Sequence, residues 1–215
     1  MSPDAITAER IHRELRRRIV TGGFAPGCVM VTSHIAESLG TSVTPVRDAL
    51  HQLVGEGLIA AHGGGGFVVP ALDREKMGHL YRWHGEVMGV VLRNVDCPQD
   101  IGDFPQGAGG PLSAQDIAAV ATTLFRRLAS LSTNPEHAAV IDILSARLHL
   151  ARCHEHVLGR CHGELGSLWH NVRSLNRAKG RTALWQYHRR RVLSLDKIMR
   201  ALGKTSEASA RPDTL

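Results

Sequence analysis

Imidazoles and thiols are the side chains in this sequence best suited to chemistry: there are 13 histidines and four cysteines, and His149, Cys153, His154, His156, Cys161 and His162 crowd into one short stretch. Imidazole nitrogen and thiolate sulfur are the softer protein ligands, which makes a divalent metal such as zinc or nickel a candidate cofactor. His149 and Cys153 lie at i and i+4 of a predicted helix, and His188 from a later helix is the candidate third ligand. Asp142 shares the face of His149, but seven helical residues separate the two by ~10.5 Å. Ligands of one ion each sit only about 2.0–2.3 Å from it, so that pair cannot share a metal. The cluster follows no compact metal motif, and no zincin pattern or nucleophile–base pairing is present, so no catalytic residue and no enzyme are expected. Oxidation at Cys153 or Cys161 is the corresponding redox reading. His84, His149 and His188 also fall on apolar helical stripes, where a histidine either bonds within the core or lines a pocket. In the second case they would bind an effector such as an organic acid directly.

A second chemistry is the binding of a polyanion. The formal charge is +6, a balance that suits nucleic acid, yet residues 1–72 carry equal numbers of arginines and carboxylates. Placement therefore has to carry the argument. Arg16, Arg17 and Arg18 flank the apolar stripe of a first helix. Arg47 and His51 form an outward i, i+4 row on a later one. Four glycines, Gly63 to Gly66, strip side chains from a turn, so that its backbone at Gly64 and Gly65 can lie against a phosphate or enter a narrow groove. The basic run Arg173, Arg177, Lys179, Arg181, Arg189, Arg190 and Arg191 reads as a solvated face.

The elements that position these residues follow from periodicity. Ile11, Leu15 and Ile19 repeat at four-residue spacing between Ala8 and Thr21, and Gly22-Gly23 ends that helix. Cys28 to Val31 reads as a short strand. Ser33 to Leu39 and the helix opened by Ser42-Val43-Thr44-Pro45 are joined tightly enough to form a helix-turn-helix, with Ser42 or Thr44 as cap and Pro45 in the first turn. Leu58 to Ala61 and Phe67 to Val69 around the glycines read as a β-hairpin. Beyond Asp73 the pattern is helical: Arg74 to Val95, a helix capped by Ser113 and Asp116, one from Thr133-Asn134-Pro135 that bends or breaks at Gly159, Gly163 and Gly166, and one from Thr182 with Leu184, His188, Leu195, Ile198 and Leu202 on a single face. The expected fold is mainly α: a winged helix-turn-helix over residues 1–72, an all-helical bundle over 73–203, and a disordered tail over 204–215. No signal peptide and no apolar run of membrane-spanning length is present, and the cysteine spacing is that of reduced thiols, so the expected location is cytoplasmic, without a membrane partner.

The segment Leu39-Gly40-Thr41-Ser42-Val43-Thr44-Pro45-Val46-Arg47-Asp48-Ala49-Leu50-His51-Gln52-Leu53, followed by Glu56-Gly57-Leu58-Ile59, resembles the GntR family of bacterial regulators. Gly23-Phe24-Ala25-Pro26-Gly27 and the glycine turn match in order, and the resemblance covers about residues 8–70. The later helices look like the FadR-type branch, with its FCD domain. The resemblance implies a homodimeric transcriptional regulator, more often a repressor, that binds a palindromic operator in double-stranded DNA and responds to a small-molecule effector in the helical domain. Arg47 would then read a guanine, Ser42 and Thr44 would hold phosphates, and Arg16, Arg17, Ser33, His51, Gly64 and Gly65 complete the expected DNA contacts. Val43 and His51 stand where the family commonly has arginine. FCD domains often hold a metal through an aspartate, a histidine four residues later and two further histidines; here the aspartate position is Ser145, His149 and His188 match, and the last histidine falls near Ala210. A metal- or redox-sensing regulator of the same fold and an architectural DNA-binding protein without an effector are the alternatives.

Overall fold

A computed structural model of the chain describes residues 3–71, 73–105 and 113–209. It divides into two compact units, Met1–Leu72 and Asp73–Leu215.

In the first unit, helix α1 (Pro3–Val20) buries Ile11, Leu15 and Ile19 and is followed by strand β1 (Val29–Met30), helices α2 (Thr32–Ser38) and α3 (Val43–Gly55), and strands β2 (Ala60–His62) and β3 (Gly66–Val68). α1 starts earlier than its apolar repeat. It stops where the Gly23 amide donates to the Arg18 carbonyl at 2.7 Å, an approach that a Cβ at 23 would crowd to 3.0 Å. Gly40 takes φ +61°, and the Gly40 and Thr41 amides close back on Glu37 and Ala36. This left-handed stop is the reason α3 can begin so soon after α2. Val46, Leu50 and Leu53 of α3 are wholly buried. The expected short strand at 28–31 joins the hairpin, giving a three-stranded antiparallel sheet of order β1-β3-β2, with Met30 opposite Phe67 and Ala61 opposite the same residue on the other side.

The second unit is wholly helical among its described residues: α4 (Arg74–Arg93), a 3-10 turn (Pro98–Ile101), α5 (Ala114–Ser130), α6 (Glu136–Cys153), a second 3-10 turn (Glu155–Leu158), α7 (Cys161–Arg173), α8 (Arg177–Leu193) and α9 (Leu195–Ser209). Asp73 caps α4 by accepting from the Lys76 amide at 2.8 Å. The Ser113–Asp116 capping box on α5 is complete in both directions. The core joins Met88 and Val91 of α4 to Leu124, Phe125 and Leu128 of α5, Ile141 and Leu144 of α6, Leu165 and Leu168 of α7, and Leu184 and Tyr187 of α8.

Three expectations differ from the structure. The single helix from Thr182 is two helices. α8 starts earlier, capped by the Asn176 side chain, and ends at Ser194, a break that no glycine or proline announces. α9 runs on to Ser209, past Lys204 where disorder was expected, while 210–215 lie outside the described residues. Arg191, assigned to a solvated face, is completely buried, because it occupies the apolar stripe of α8 between Leu184 and Leu195.

Candidate functional site

The first unit offers an exposed polar edge along the start of α3. Ser42 is the N-cap residue, in an extended conformation (φ −77°, ψ 164°), but its hydroxyl makes no capping bond; the side-chain cap expected there is not formed. Ser42, Val43 and Thr44 are exposed beside the unpaired amides of the first helical turn, a natural place for an anion. One turn on, Arg47 is exposed, and the described structure gives it neither an ion pair nor a hydrogen bond. His51 is exposed on one side and meets Phe67 of β3 edge-on at 5.1 Å. Ser33 is exposed at the start of α2.

Arg16, Arg17 and Arg18 of α1 are engaged within the unit. Arg16 Nε donates to Glu56 at 2.7 Å, with His12 on the other oxygen at 2.6 Å, so that a group expected at DNA instead ties α1 to the end of α3. Arg17 bonds Glu14 through two nitrogens at 2.8 and 2.9 Å but remains mostly exposed.

At the hairpin tip only Gly65 needs to be glycine, with φ +83°; a Cβ at Gly63 or Gly64 would meet nothing within 4 Å. Neither packing nor backbone conformation of the unit accounts for glycine at those two positions.

The second unit holds a buried polar core. Arg152 of α6 is wholly buried. Its Nη2 donates to His84 Nε2 at 3.0 Å, His84 Nδ1 meets His188 Nε2 at 2.8 Å, and His188 Nδ1 meets the Leu184 carbonyl at 2.9 Å. A guanidinium can only donate. Hence Nε2 of His84 accepts, its Nδ1 carries the proton and donates to His188, and His188 in turn donates to Leu184, so both rings are neutral and their tautomers follow from the network. Burial, then the neighbouring Arg152 charge, depresses the His84 pKa well below the usual value, and burial pushes His188 down to about 3. Half-buried His149 is lowered by burial and by Arg152 as well.

Beside this chain, Glu155 accepts from Tyr81 at 2.7 Å, from Tyr187 at 3.1 Å and from Arg191 Nε at 3.0 Å. Arg191 also bonds Glu164, which pairs with Arg190 as well, and it stacks 3.6 Å over the Tyr187 ring. Among the described residues Arg152 forms no ion pair with a carboxylate, whereas Arg190 and Arg191 do. Arg152 Nη1 reaches Thr122 Oγ1 at 3.4 Å, its guanidinium lies 5.1 Å over Phe125, and its Nε, like the buried hydroxyl of Ser145, has no hydrogen-bond partner in the structure.

These residues do not fit a metal. No group of three or more His, Cys, Asp or Glu side chains among the described residues is placed to hold one. The expected set of His149, His188 and Cys153 fails for stated reasons. Nε2 of His188 is spent on His84, an arginine cation occupies the neighbourhood of His84 and His149, and burial raises the Cys153 thiol, opposing thiolate. In the wider cluster His154 and His156 turn their Nδ1 to backbone carbonyls. Cys161 donates to the Glu155 carbonyl at 3.1 Å, and burial raises its thiol too. Of the three expected effector residues, His84 and His188 are brought together; His149 is adjacent to Arg152 only electrostatically. Arg152, Glu155 and Arg191 were missed. The available signal was their register, since Arg152 continues the stripe Ile141, Leu144, Leu148, and a charge there is buried unless the helix bends.

Residues 7–69 match the family of bacterial regulatory proteins described as gntR. The HTH-type transcriptional regulator McbR of Escherichia coli K12 is 29% identical over 100 residues, 45% of either chain, and the Nta operon transcriptional regulator of Aminobacter aminovorans is 28% identical over 60% of this chain and 65% of its own length. The chain thus matches less than two thirds of the length of these curated relatives. Among solved structures, E. coli McbR/YncC shares the fold with a TM-score of 0.68 at 18% identity, over 92% of this chain and 99% of that one. A GntR transcriptional regulator of Rhodococcus sp. RHA1 gives 0.68 at 20% identity, over 92% and 98%. The match to the gntR family of bacterial regulatory proteins thus covers the winged N-terminal unit, and the likeness to the solved structures over the whole chain is one of fold.

Proposed function

We propose that the protein is a sequence-specific DNA-binding transcriptional regulator, a repressor in its simplest form, working as a homodimer whose helical units bind a small effector. The observation that carries this reading is the pairing of an unengaged, exposed Arg47 on α3 with a hairpin tip whose Gly63 and Gly64 have no internal reason to be glycine. An open major groove accepts a helix such as α3, where a planar guanidinium can bond two acceptors of a guanine. Ser42, Thr44 and Ser33 stand where phosphates would pass, and Gly64 and Gly65 where a narrow groove would. The relatives it matches are named as regulators, which supports the same reading and a place in the cytoplasm with the DNA. No helix among the described residues is long and apolar enough to cross a membrane.

Effector control needs only that the ligand bind two arrangements of the heads with different affinity, so ligand and operator must shift each other's binding equally. Selection from a randomised duplex pool at fixed salt tests the DNA reading. Wild type should recover a palindrome with half-sites about one helical turn apart, and Arg47→Ala should lose that preference while keeping salt-dependent affinity. An absence of sequence preference in the wild type would leave an architectural DNA-binding protein in its place.

A further inference from the structure

We propose that the helical unit carries a binding site for a small phosphate monoester, in the cavity where the end of α4, the end of α7 and the start of α8 meet, with Arg93, Arg177 and Arg181 holding the phosphoryl group. The site stands independently of the effector reading above, since it concerns binding and not control of DNA.

The cavity holds about 290 Å³ and is lined by these three arginines together with the apolar Leu92, Val172 and Leu175. Among the described residues, no carboxylate lines it. All three arginines are exposed, and none forms an ion pair or a side-chain hydrogen bond among the described residues. Three cations thus share one concavity without a counter-ion. Arg177 and Arg181 stand one turn apart on α8, where like charges repel. With Lys179 they also load the start of a helix whose first turn contains no acid, against its macrodipole. No group of the fold offsets that arrangement; an anion bound between the arginines does.

The chemistry of the lining selects the ligand. A phosphoryl group presents three acceptor oxygens and close to two negative charges at neutral pH, which several planar guanidinium forks can share. A carboxylate, with two oxygens and one charge, leaves two of the three cations unmet. The donors are side chains and not the open amides of a helix end, because the Arg177, Lys179 and Gly180 amides already bond to Leu175 and Asn176. Leu175 supplies the contact for the organic part. It closes α7 in a Schellman turn, with its amide on the Val172 carbonyl and that of Asn176 on the Asn171 carbonyl, at the position where glycine is usual. Its φ is +59°, a left-handed conformation that costs a leucine energy, and its side chain is 59% exposed. Neither burial nor backbone conformation accounts for leucine there, whereas contact with the carbon skeleton of a ligand does. An apolar cavity of ~150 Å³ takes a benzene ring, so the volume suits one phosphoryl group on a ring-sized skeleton.

The test is calorimetry on the full chain at fixed salt, with phenyl phosphate, inorganic phosphate, benzoate and phenol as probes. Phenyl phosphate should bind saturably, benzoate about 10–100-fold more weakly, the range for a lost charged hydrogen bond, and phenol not at all. Arg93→Gln and Arg181→Gln, both at exposed positions that leave the core untouched, should each weaken phenyl phosphate by a similar factor. Leu175→Gly, which frees the backbone, should weaken phenyl phosphate and spare inorganic phosphate. A duplex of arbitrary sequence separates a free phosphate ester from the phosphates of a DNA backbone: its affinity should be the same in the arginine variants as in the wild type. No saturable binding of phenyl phosphate, equal affinity for benzoate, wild-type affinity in both arginine variants, or a loss of duplex affinity as large as that of the ester would each overturn the inference. The effector reading fails separately, when no small molecule of any kind alters operator affinity.

Discussion

Gly85 of α4 faces His188 of α8 so closely that a Cβ on residue 85 would lie 2.9 Å from the imidazole Cγ. The ring cannot easily retreat, since His84 and the Leu184 carbonyl hold it from both ends. Glycine at 85 is therefore what allows the two helices to approach and the histidine pair to form. Gly85→Ala should destabilise the protein by about 1–3 kcal/mol, as overpacking does. Urea unfolding would give the value, and an unchanged midpoint would show that α8 shifts freely.

Glu155 is the common acceptor for Tyr81, Tyr187 and Arg191, with no exposure on its side chain or on that of Arg191. Glu155→Ala would take from the buried Arg191 one of its two carboxylates, leaving Glu164, and strip two buried phenols of their acceptor. A loss of about 3–5 kcal/mol is expected, the range for breaking a buried pair from one side. Removing Arg74 from its exposed pair with Asp196 should leave the unfolding midpoint nearly unchanged in the same assay.

Burial pushes the His188 imidazole down from its ordinary value of 6.5 to about 3. The unfolded chain therefore binds a proton that the native state refuses between those two values, and stability rises with pH across that window. Acidification from pH 6.5 towards 3 should cost stability progressively through this group, because the buried imidazole refuses the proton that the unfolded chain takes up. Above pH 6.5 its contribution should be flat. Denaturation midpoints measured from pH 8 to pH 4 would show the slope, which should shrink in His188→Gln.

The hairpin tip separates a fold requirement from a binding one. Gly64→Asp should leave stability within about 0.5 kcal/mol, the range for surface changes, because a side chain there meets nothing within 4 Å, yet weaken DNA binding by adding a negative charge at the phosphates. Gly65→Ala should instead cost about 1 kcal/mol through its positive φ. Paired unfolding and DNA-titration curves distinguish the two; equal DNA affinity in Gly64→Asp and wild type would take the tip out of the interface.

The winged unit was legible from sequence because its determinants are local. The four-residue spacing of Ile11, Leu15 and Ile19, the left-handed stop at Gly40, Pro45 in the first turn of α3 and the glycine hairpin each act within a few residues, and the three-stranded sheet only adds β1 to a hairpin already expected. The outward register of Arg47 follows from the burial of Val46, Leu50 and Leu53 on the same helix. His84 and His188 could be placed on apolar faces by periodicity, but their meeting depends on α4 packing against α8 at Gly85, a contact between segments about a hundred residues apart. The buried charges were the least legible. An arginine on an apolar stripe is read as solvated unless its partner is known, and Glu155 and Glu164, which make Arg191 tolerable in the core, come from a 3-10 turn and a different helix. Local sequence thus determined the elements and the face α3 presents; tertiary packing decided which charges are neutralised, and among the described residues it left Arg152 without an ion pair to a carboxylate, because desolvation and pairing are properties of the assembled core.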